Sequence, residues 1–279
     1  MKIGIVGNGF VGRATYLLTC KDIEIIVYDK NPKLCHPEDI KFNDLGTCSI
    51  IFICVPTPMN KDGSCHIDII LDVTHKLKNI PNFKSEIFIR STITPGISDK
   101  LGCHFMPEFL TEKNYVHDFV NNENWIFGLY NNSQLAKDLI SKLINCAHKN
   151  KVISHNNVFF VSNKEAEMVK LFKNNFLALK VSFCNEINQY CQKKDINYET
   201  VRNLAAKDKR IGESHTHVPG PDNKYGYGGT CFPKDTNSLL YEFENMKLDS
   251  YIIKAMINRN ENVDRKEADW KSDYGRTVI

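Results

Sequence analysis

The sequence predicts an α/β fold: a mostly parallel, doubly wound sheet forms the first part of the chain, then a long connecting helix leads into a smaller all-helical domain. Three observations carry this. Short apolar runs alternate with helical patterns from Lys2 to Ser162, as expected of βα units whose sheet is covered on both faces. A glycine-rich turn joins the first strand to the first helix. From Lys164 to about Lys194 neither Gly nor Pro interrupts a helical stretch, which at 1.5 Å per residue makes a rod of about 45 Å, longer than one small domain requires. The expected domains are residues 1–162 and 163–279.

Lys2 to Val6 reads as a buried strand, followed at once by Gly7-Asn8-Gly9-Phe10-Val11-Gly12 and a helix through Ala14 to Leu18. In G-x-G-x-x-G between strand and helix, the first glycine makes the turn and the second admits a pyrophosphate to the backbone. The third lets the helix pack on the strand with its amides facing the phosphates. A second strand, Ile23 to Tyr28, ends in Asp29, placed to accept hydrogen bonds from ribose hydroxyls. A Rossmann-type NAD-binding domain is therefore expected over residues 1–162. The carboxylate disfavours the 2′-phosphate of NADP, a preference that Lys30 and Lys33 weaken slightly.

Asn31 to Leu45 is polar, carries Pro32 and Pro37, and reads as a connector. Strands follow at Ser49 to Val55 and Glu86 to Arg90, with a helix from Asp68 to Leu77 between them. Thr57 and Thr92 stand just after these strands, at the carboxyl edge where open α/β sheets bind ligands; capping of the next helix is the alternative. Glu108 and Glu112 lie four apart. On a helix they would share a face, and one would gain the raised pKa of a general base; a solvated face is the alternative. Trp125 to Leu129 and Val158 to Val161 complete the strands, around a helix from Gln134 to Ala147.

On the long helix, Lys170 and Asn174 point the same way beside an apolar stripe, where they could steady an oxyanion or simply form a polar face. Shorter helices are expected at Thr200 to Ala206, Asp235 to Glu244 and Tyr251 to Glu267, then a polar tail to Ile279. His215 and His217 lack a third ligand of matching spacing, so they read as loop residues and no metal is expected. In Tyr225-Gly226-Tyr227-Gly228-Gly229-Thr230-Cys231-Phe232-Pro233-Lys234-Asp235, glycines precede a cysteine and an ammonium follows it. That setting can lower a thiol pKa for covalent catalysis, against the alternative of a glycine turn with an inert cysteine.

Apolar residues make up 42% and charged residues 25% of the 279, as in soluble globular proteins. Thirty-six basic and thirty-three acidic residues give a net charge of +3. No basic block marks a nucleic-acid surface, so a small-molecule partner is expected. There is no signal-peptide cleavage site and no apolar run of about 20 residues, so no membrane span and a cytoplasmic location are expected. Ten cysteines without a C-x-x-C pair suggest thiols over disulfides or structural zinc.

Five motifs together, Gly7 to Gly12, Cys54-Val55-Pro56-Thr57-Pro58, Pro107-Glu108-Phe109-Leu110, Glu165-Ala166-Glu167-Met168-Val169-Lys170 and Gly228 to Asp235, resemble the UDP-glucose/GDP-mannose dehydrogenase family in its own order. The resemblance implies oxidation of a sugar C6 alcohol to a carboxylate with two NAD+, UDP-glucose to UDP-glucuronate first and GDP-mannose second. Cys231 matches the family nucleophile, which passes through a thiohemiacetal and a thioester. Lys170, Asn174 and Asp235 match positions that handle protons and steady the oxyanion or water; Glu108 assists hydrolysis and Thr92 positions a water. Gly7, Gly9, Phe10, Val11, Gly12, Asp29, Thr57, Thr92, Glu112 and Lys234 form the implied cofactor set. Glu108, Phe109, Leu110, Lys170, Asn174, Tyr225 and Gly228 form the substrate set, with Arg210 matching an arginine that reaches substrate across a dimer interface. A homodimer through the long helix is expected.

Three departures stand out. The sequence has no counterpart of the family's further Rossmann-like domain that holds the nucleotide. The Asn31 to Leu45 stretch is shorter, and the loop from Arg210 to Cys231 longer, than in the family. His66 stands where an aspartate is common. Two other readings compete: a one-step hydroxyacid dehydrogenase, which leaves Cys231 without a role, and an inactive NAD-binding relative that serves as a partner or regulator.

Overall fold

The computed structural model describes residues 1–279, which divide into two compact units: Met1–Thr57 with Ile67–Lys170, and Pro58–His66 with Leu171–Ile279. The first unit holds seven strands, β1 (Lys2–Val6), β2 (Glu24–Tyr28), β3 (Ile50–Ile53), β4 (Glu86–Ile89), β5 (His104–Phe105), β6 (Asn124–Leu129) and β7 (Asn157–Ser162). They form one sheet in the order β2-β1-β3-β4-β5-β6-β7. All neighbours are parallel except β5 and β6.

Strand alternation explains the apolar runs. Ile3, Ile5, Phe52, Phe88 and Phe127 face one fully buried core. They share it with Ala14 of α1 (Phe10–Tyr16), Phe119 of α4 (Tyr115–Val120), and Ala136, Ile140 and Leu143 of α5 (Gln134–Lys149). The alternate residues Gly4, Ile51, Ile53, Ile87 and Ile89 are buried as well, so the strands are apolar nearly throughout. At Gly4 a Cβ would lie 2.9 Å from Leu45, in a 3₁₀ turn (Phe42–Thr47) that packs on α2 (Asp68–Lys78).

The second unit is helical. α6 (Asn163–Lys193) begins in the first unit and continues into it, followed by α7 (Tyr198–Ala205), α8 (Phe232–Asn245) and α9 (Tyr251–Arg259). Ala178 of α6, Tyr227, and Met256 and Ile257 of α9 form its core, with Phe232 and Leu240 of α8 packed against them. No helix is long and apolar enough to cross a membrane.

Four features differ from the sequence expectation. The two-residue β5, the one-turn α3 (Ile97–Lys100) and the six-residue α4 are too short to show periodicity. Glu108 and Glu112 do not share a helix face. Pro107 opens the segment, and Glu108 Oε1 accepts the Leu110 N–H at 2.6 Å, so the backbone turns there instead. The helix expected to reach Glu267 ends at Arg259 in a π turn (Asn260–Asp264), because the Asn260 side chain is drawn onto the backbone of Tyr227. The polar tail is folded: Trp270 and Thr277 are buried, and Met59 N–H donates to Thr277 O at 2.7 Å.

Candidate functional site

The glycine turn has the geometry a dinucleotide pyrophosphate requires. Gly7 sits at φ +96, where a Cβ would be strained and 2.7 Å from the Cys54 carbonyl oxygen. A Cβ on Gly12 would fall 2.0 Å from Gly7 O, so only glycine lets α1 approach β1 this closely. Gly9 caps α1 and has nothing within 4 Å of its Cβ direction, leaving open space beside the first amides of the helix. Asp29, just past β2, accepts the Asn8 N–H at 2.7 Å and the Asn31 N–H at 2.9 Å, one on each oxygen. Each oxygen keeps a lone pair for a ribose hydroxyl. These residues fit an adenine dinucleotide. Phe10 and Val11 complete the turn, half-buried.

At the carboxyl edge of the sheet, Thr57 is buried and donates to Thr92 O at 2.8 Å, tying the segments after β3 and β4 together. Glu108 is buried and its Oε2 lies 3.1 Å from Lys170 Nζ, both side chains under 5% exposed. The Lys170 ammonium also stands 6.0 Å from the centroid of Phe109. Leu110 is partly buried, whereas Glu112 is exposed. Sequence reasoning gave no role to Glu167, a buried carboxylate that accepts the Gly96 and Ser98 N–H groups at 2.5 and 2.9 Å. Burial raises its pKa, and those two hydrogen bonds oppose the rise.

In the second unit, Cys231 is the N-cap of α8, with Pro233 in the first turn. Lys234 and Asp235 therefore occupy the first turn after the thiol. Asp235 is 1% exposed and accepts from Lys234 Nζ at 2.7 Å on one oxygen and from Asn174 Nδ2 at 2.6 Å on the other. Burial alone disfavours the Lys234 ammonium, yet Asp235, Cys231 and Cys65 together raise its pKa above the ordinary lysine value. Thr230 Oγ1 lies 3.6 Å from the Cys231 sulfur. Lys170 meets Glu108 within the first unit, and Asn174 meets Asp235 within the second.

The glycine loop before Cys231 is held by residues that sequence reasoning missed. Asn260 binds both the N–H and the carbonyl of Tyr227, at 2.8 and 2.9 Å, and Asn185 accepts the Gly226 N–H at 3.2 Å. Gly228 lies against Arg265: a Cβ there would be 2.5 Å from the guanidinium carbon. Arg265 is itself buried and ion-paired with Asp222 and Asp269 at 2.7 and 2.8 Å. Tyr225 is exposed, and Arg210 is exposed and paired with Asp208 at 2.6 Å. No group of three His, Cys, Asp or Glu side chains is placed to hold a metal ion.

Comparison with known proteins bears on both units. Residues 37–144 match the NAD binding domain of the UDP-glucose/GDP-mannose dehydrogenase family, and residues 164–262 match the central domain of the same family. A UDP-glucose 6-dehydrogenase from Campylobacter jejuni is 30% identical over 296 residues, covering 94% of this chain and 72% of the relative. One from Rickettsia typhi is 28% identical over 303 residues, covering 93% and 67%. In fold, a UDP-glucose dehydrogenase from the archaeon Pyrobaculum islandicum aligns with a TM-score of 0.79 at 23% identity, over 93% of this chain and 68% of that one. A GDP-mannose dehydrogenase from Pseudomonas aeruginosa aligns at 0.66 and 21%, over 94% and 69%. With the glycine turn, Asp29 and the Cys231 cluster in place, the chain belongs to the UDP-glucose/GDP-mannose dehydrogenase family and is an NAD-dependent dehydrogenase of that family.

Proposed function

We propose that the chain oxidises the C6 alcohol of a nucleotide sugar to the carboxylate in two two-electron steps, with UDP-glucose the first substrate and GDP-mannose the second. The observation that carries this reading is Cys231 at the N-terminus of α8, one turn from Lys234 and Asp235. A helix N-terminus and an ammonium both favour a thiolate. Cys231 adds to the C6 aldehyde as a thiohemiacetal and holds the acyl group as a thioester until water releases the acid. NAD+, when bound, supplies the hydride acceptor for both oxidations. Asn174 spends one amide N–H on Asp235 and keeps a second for an oxyanion. Proton transfers are assigned to Lys170, Asp235 and Glu108, and the placing of water to Thr92.

The cofactor set is Gly7, Gly9, Phe10, Val11, Gly12, Asp29, Thr57, Thr92, Glu112 and Lys234. Glu108, Phe109, Leu110, Lys170, Asn174, Arg210, Tyr225 and Gly228 are assigned to substrate. Residues 1–162 then act as the NAD-binding domain and 163–279 as the catalytic and dimerisation domain. A cytoplasmic location belongs to the same reading, where a reducing compartment keeps free thiols reduced.

Counting NADH per sugar with purified protein, NAD+ and UDP-glucose gives two on this reading; one NADH, or none with any nucleotide sugar, sinks it. Cys231→Ser is expected to abolish acid formation while NAD+ still binds.

The homodimer is supported by α6, whose Phe172, Phe176, Phe183 and Tyr190 are 62, 54, 61 and 58% exposed at steps of four and seven residues. Such a stripe on one helix side is the kind of surface a second helix covers. Light scattering should find a dimer that Phe183→Glu dissociates; a monomeric parent protein refutes it.

A further inference from the structure

We propose that Cys65 is a resolving thiol for Cys231, closing a reversible disulfide with it under hydroperoxide and so sparing the nucleophile from irreversible oxidation. The inference deepens the reading above, since it rests on Cys231 being the reactive thiol. Residues Pro58–His66 belong to the same compact unit as α8 although they are far from it in sequence. They form a hairpin: Met59 and Cys65 pair antiparallel, His66 N–H donates to Pro58 O at 2.9 Å, and Gly63 takes φ +88 at the turn.

This hairpin lies on α8. A Cβ on Gly63 would be 3.6 Å from both Asn237 Cβ and Asn237 O. Cys231, Lys234 and Asn237 are spaced by three and form one row along the first turns of the helix, each step about 4.5 Å along the axis. From Gly63 to Cys65 the hairpin advances about 7 Å. The Lys234 ammonium interacts electrostatically with Cys65 as well as with Cys231. The hairpin thus packs on α8 at Asn237, two steps along this row from Cys231, with the Lys234 ammonium on the step between, in electrostatic range of both sulfurs. Cys65 is only half-buried. By contrast, burial pushes the thiols of Cys48, Cys54 and Cys103 up to about 11, where they are inert.

The chemistry balances. The Cys231 thiolate attacks one peroxide oxygen and the O–O bond breaks; the departing oxygen takes a proton and leaves as water or alcohol, with Cys231 now a sulfenic acid. Cys65 then attacks the Cys231 sulfur, the S–O bond breaks, and the hydroxide leaves as water with the Cys65 proton. Each thiol has lost one electron, and the peroxide has gained two.

The test treats the full-length protein with hydrogen peroxide, blocks remaining thiols, and maps peptides by mass spectrometry. The wild type should yield a peptide linked through Cys65 and Cys231, absent after dithiothreitol. Cys65→Ser should instead accumulate sulfinic acid at Cys231 and recover about tenfold less activity on reduction than the wild type. Peptide mapping needs no turnover, so it decides the proposal even if no nucleotide sugar proves to be a substrate. Absence of the linked peptide while Cys231 is oxidised, or equal sulfinic acid at Cys231 in both proteins, overturns it.

Discussion

Replacing Lys170 by methionine isolates the buried ion pair of the sheet unit. Lys170 and Glu108 are 3% and 4% exposed and 3.1 Å apart, so at an effective dielectric of about 20 their attraction is about 5 kcal/mol. With the ammonium gone, the Glu108 carboxylate stays buried, accepting the Leu110 N–H, and loss of one partner of such a pair costs about 3–5 kcal/mol. The chain has two tryptophans, Trp125 in the sheet unit and Trp270 in the helical unit. Trp125 fluorescence in a Trp270→Phe background therefore reports the sheet unit alone. With a urea slope of about 2 kcal/mol/M, Lys170→Met should lower the midpoint by roughly 1.5–2.5 M. Lys170→Met with Glu108→Met should recover much of that loss, because no charge is left stranded. A single-mutant loss below about 1 kcal/mol, or a double mutant no better than the single, would refute the reasoning.

Gly12→Ala drives a methyl into Gly7 O, 2.0 Å from its ideal position, and is expected to weaken NAD+ binding at least ~tenfold, about 1.4 kcal/mol, by calorimetric titration. Unchanged affinity would separate the glycine turn from the cofactor. Asn260→Ala leaves the Tyr227 N–H and carbonyl without their partner and should cost about 2 kcal/mol, read through Trp270 in a Trp125→Phe background. Asp269→Asn tests a pH dependence. Hydrogen bonds from Arg265 and then Lys224 hold the Asp269 pKa well below the carboxylate range. A depressed folded-state pKa adds stability that is present above the unfolded value of about 3.9 and lost as pH falls through the folded one. The mutant should thus be about 1 kcal/mol less stable at neutral pH, discounted for a side chain one-third exposed. The gap should close on acidification; one that widens in acid contradicts the assignment.

The sheet unit was legible because its signals are local. The glycines at positions 7, 9 and 12 each answer a distance or an angle within one turn, and Asp29 follows at the end of the next strand. What escaped was set by tertiary partners. Glu108 looked like half of a helical carboxylate pair, but its own side chain folds the backbone at Leu110 and its charge belongs to Lys170. Asn260 and Arg265 carried no motif; their roles come from the backbone of Tyr227 and from Gly228, which lie far away in sequence. Cys231 as a helix cap was within reach, since Pro233 favours the first turn of a helix. Three preceding glycines drew the reading toward a loop instead.

The pairing of Met59 with Thr277 and Ile279 also bears on how the chain is made. Met59 accepts the Ile279 N–H and donates to Thr277, partners more than two hundred residues apart, and closing a loop that long costs roughly 5 kcal/mol of chain entropy. The sheet unit ends at Lys170, so all its residues have emerged while the ribosome is still at work. The hairpin that carries Cys65 must wait for residues 277–279 to emerge before its edge is paired. During synthesis the second unit is therefore the late and vulnerable one, and deleting residues 277–279 should release the hairpin first.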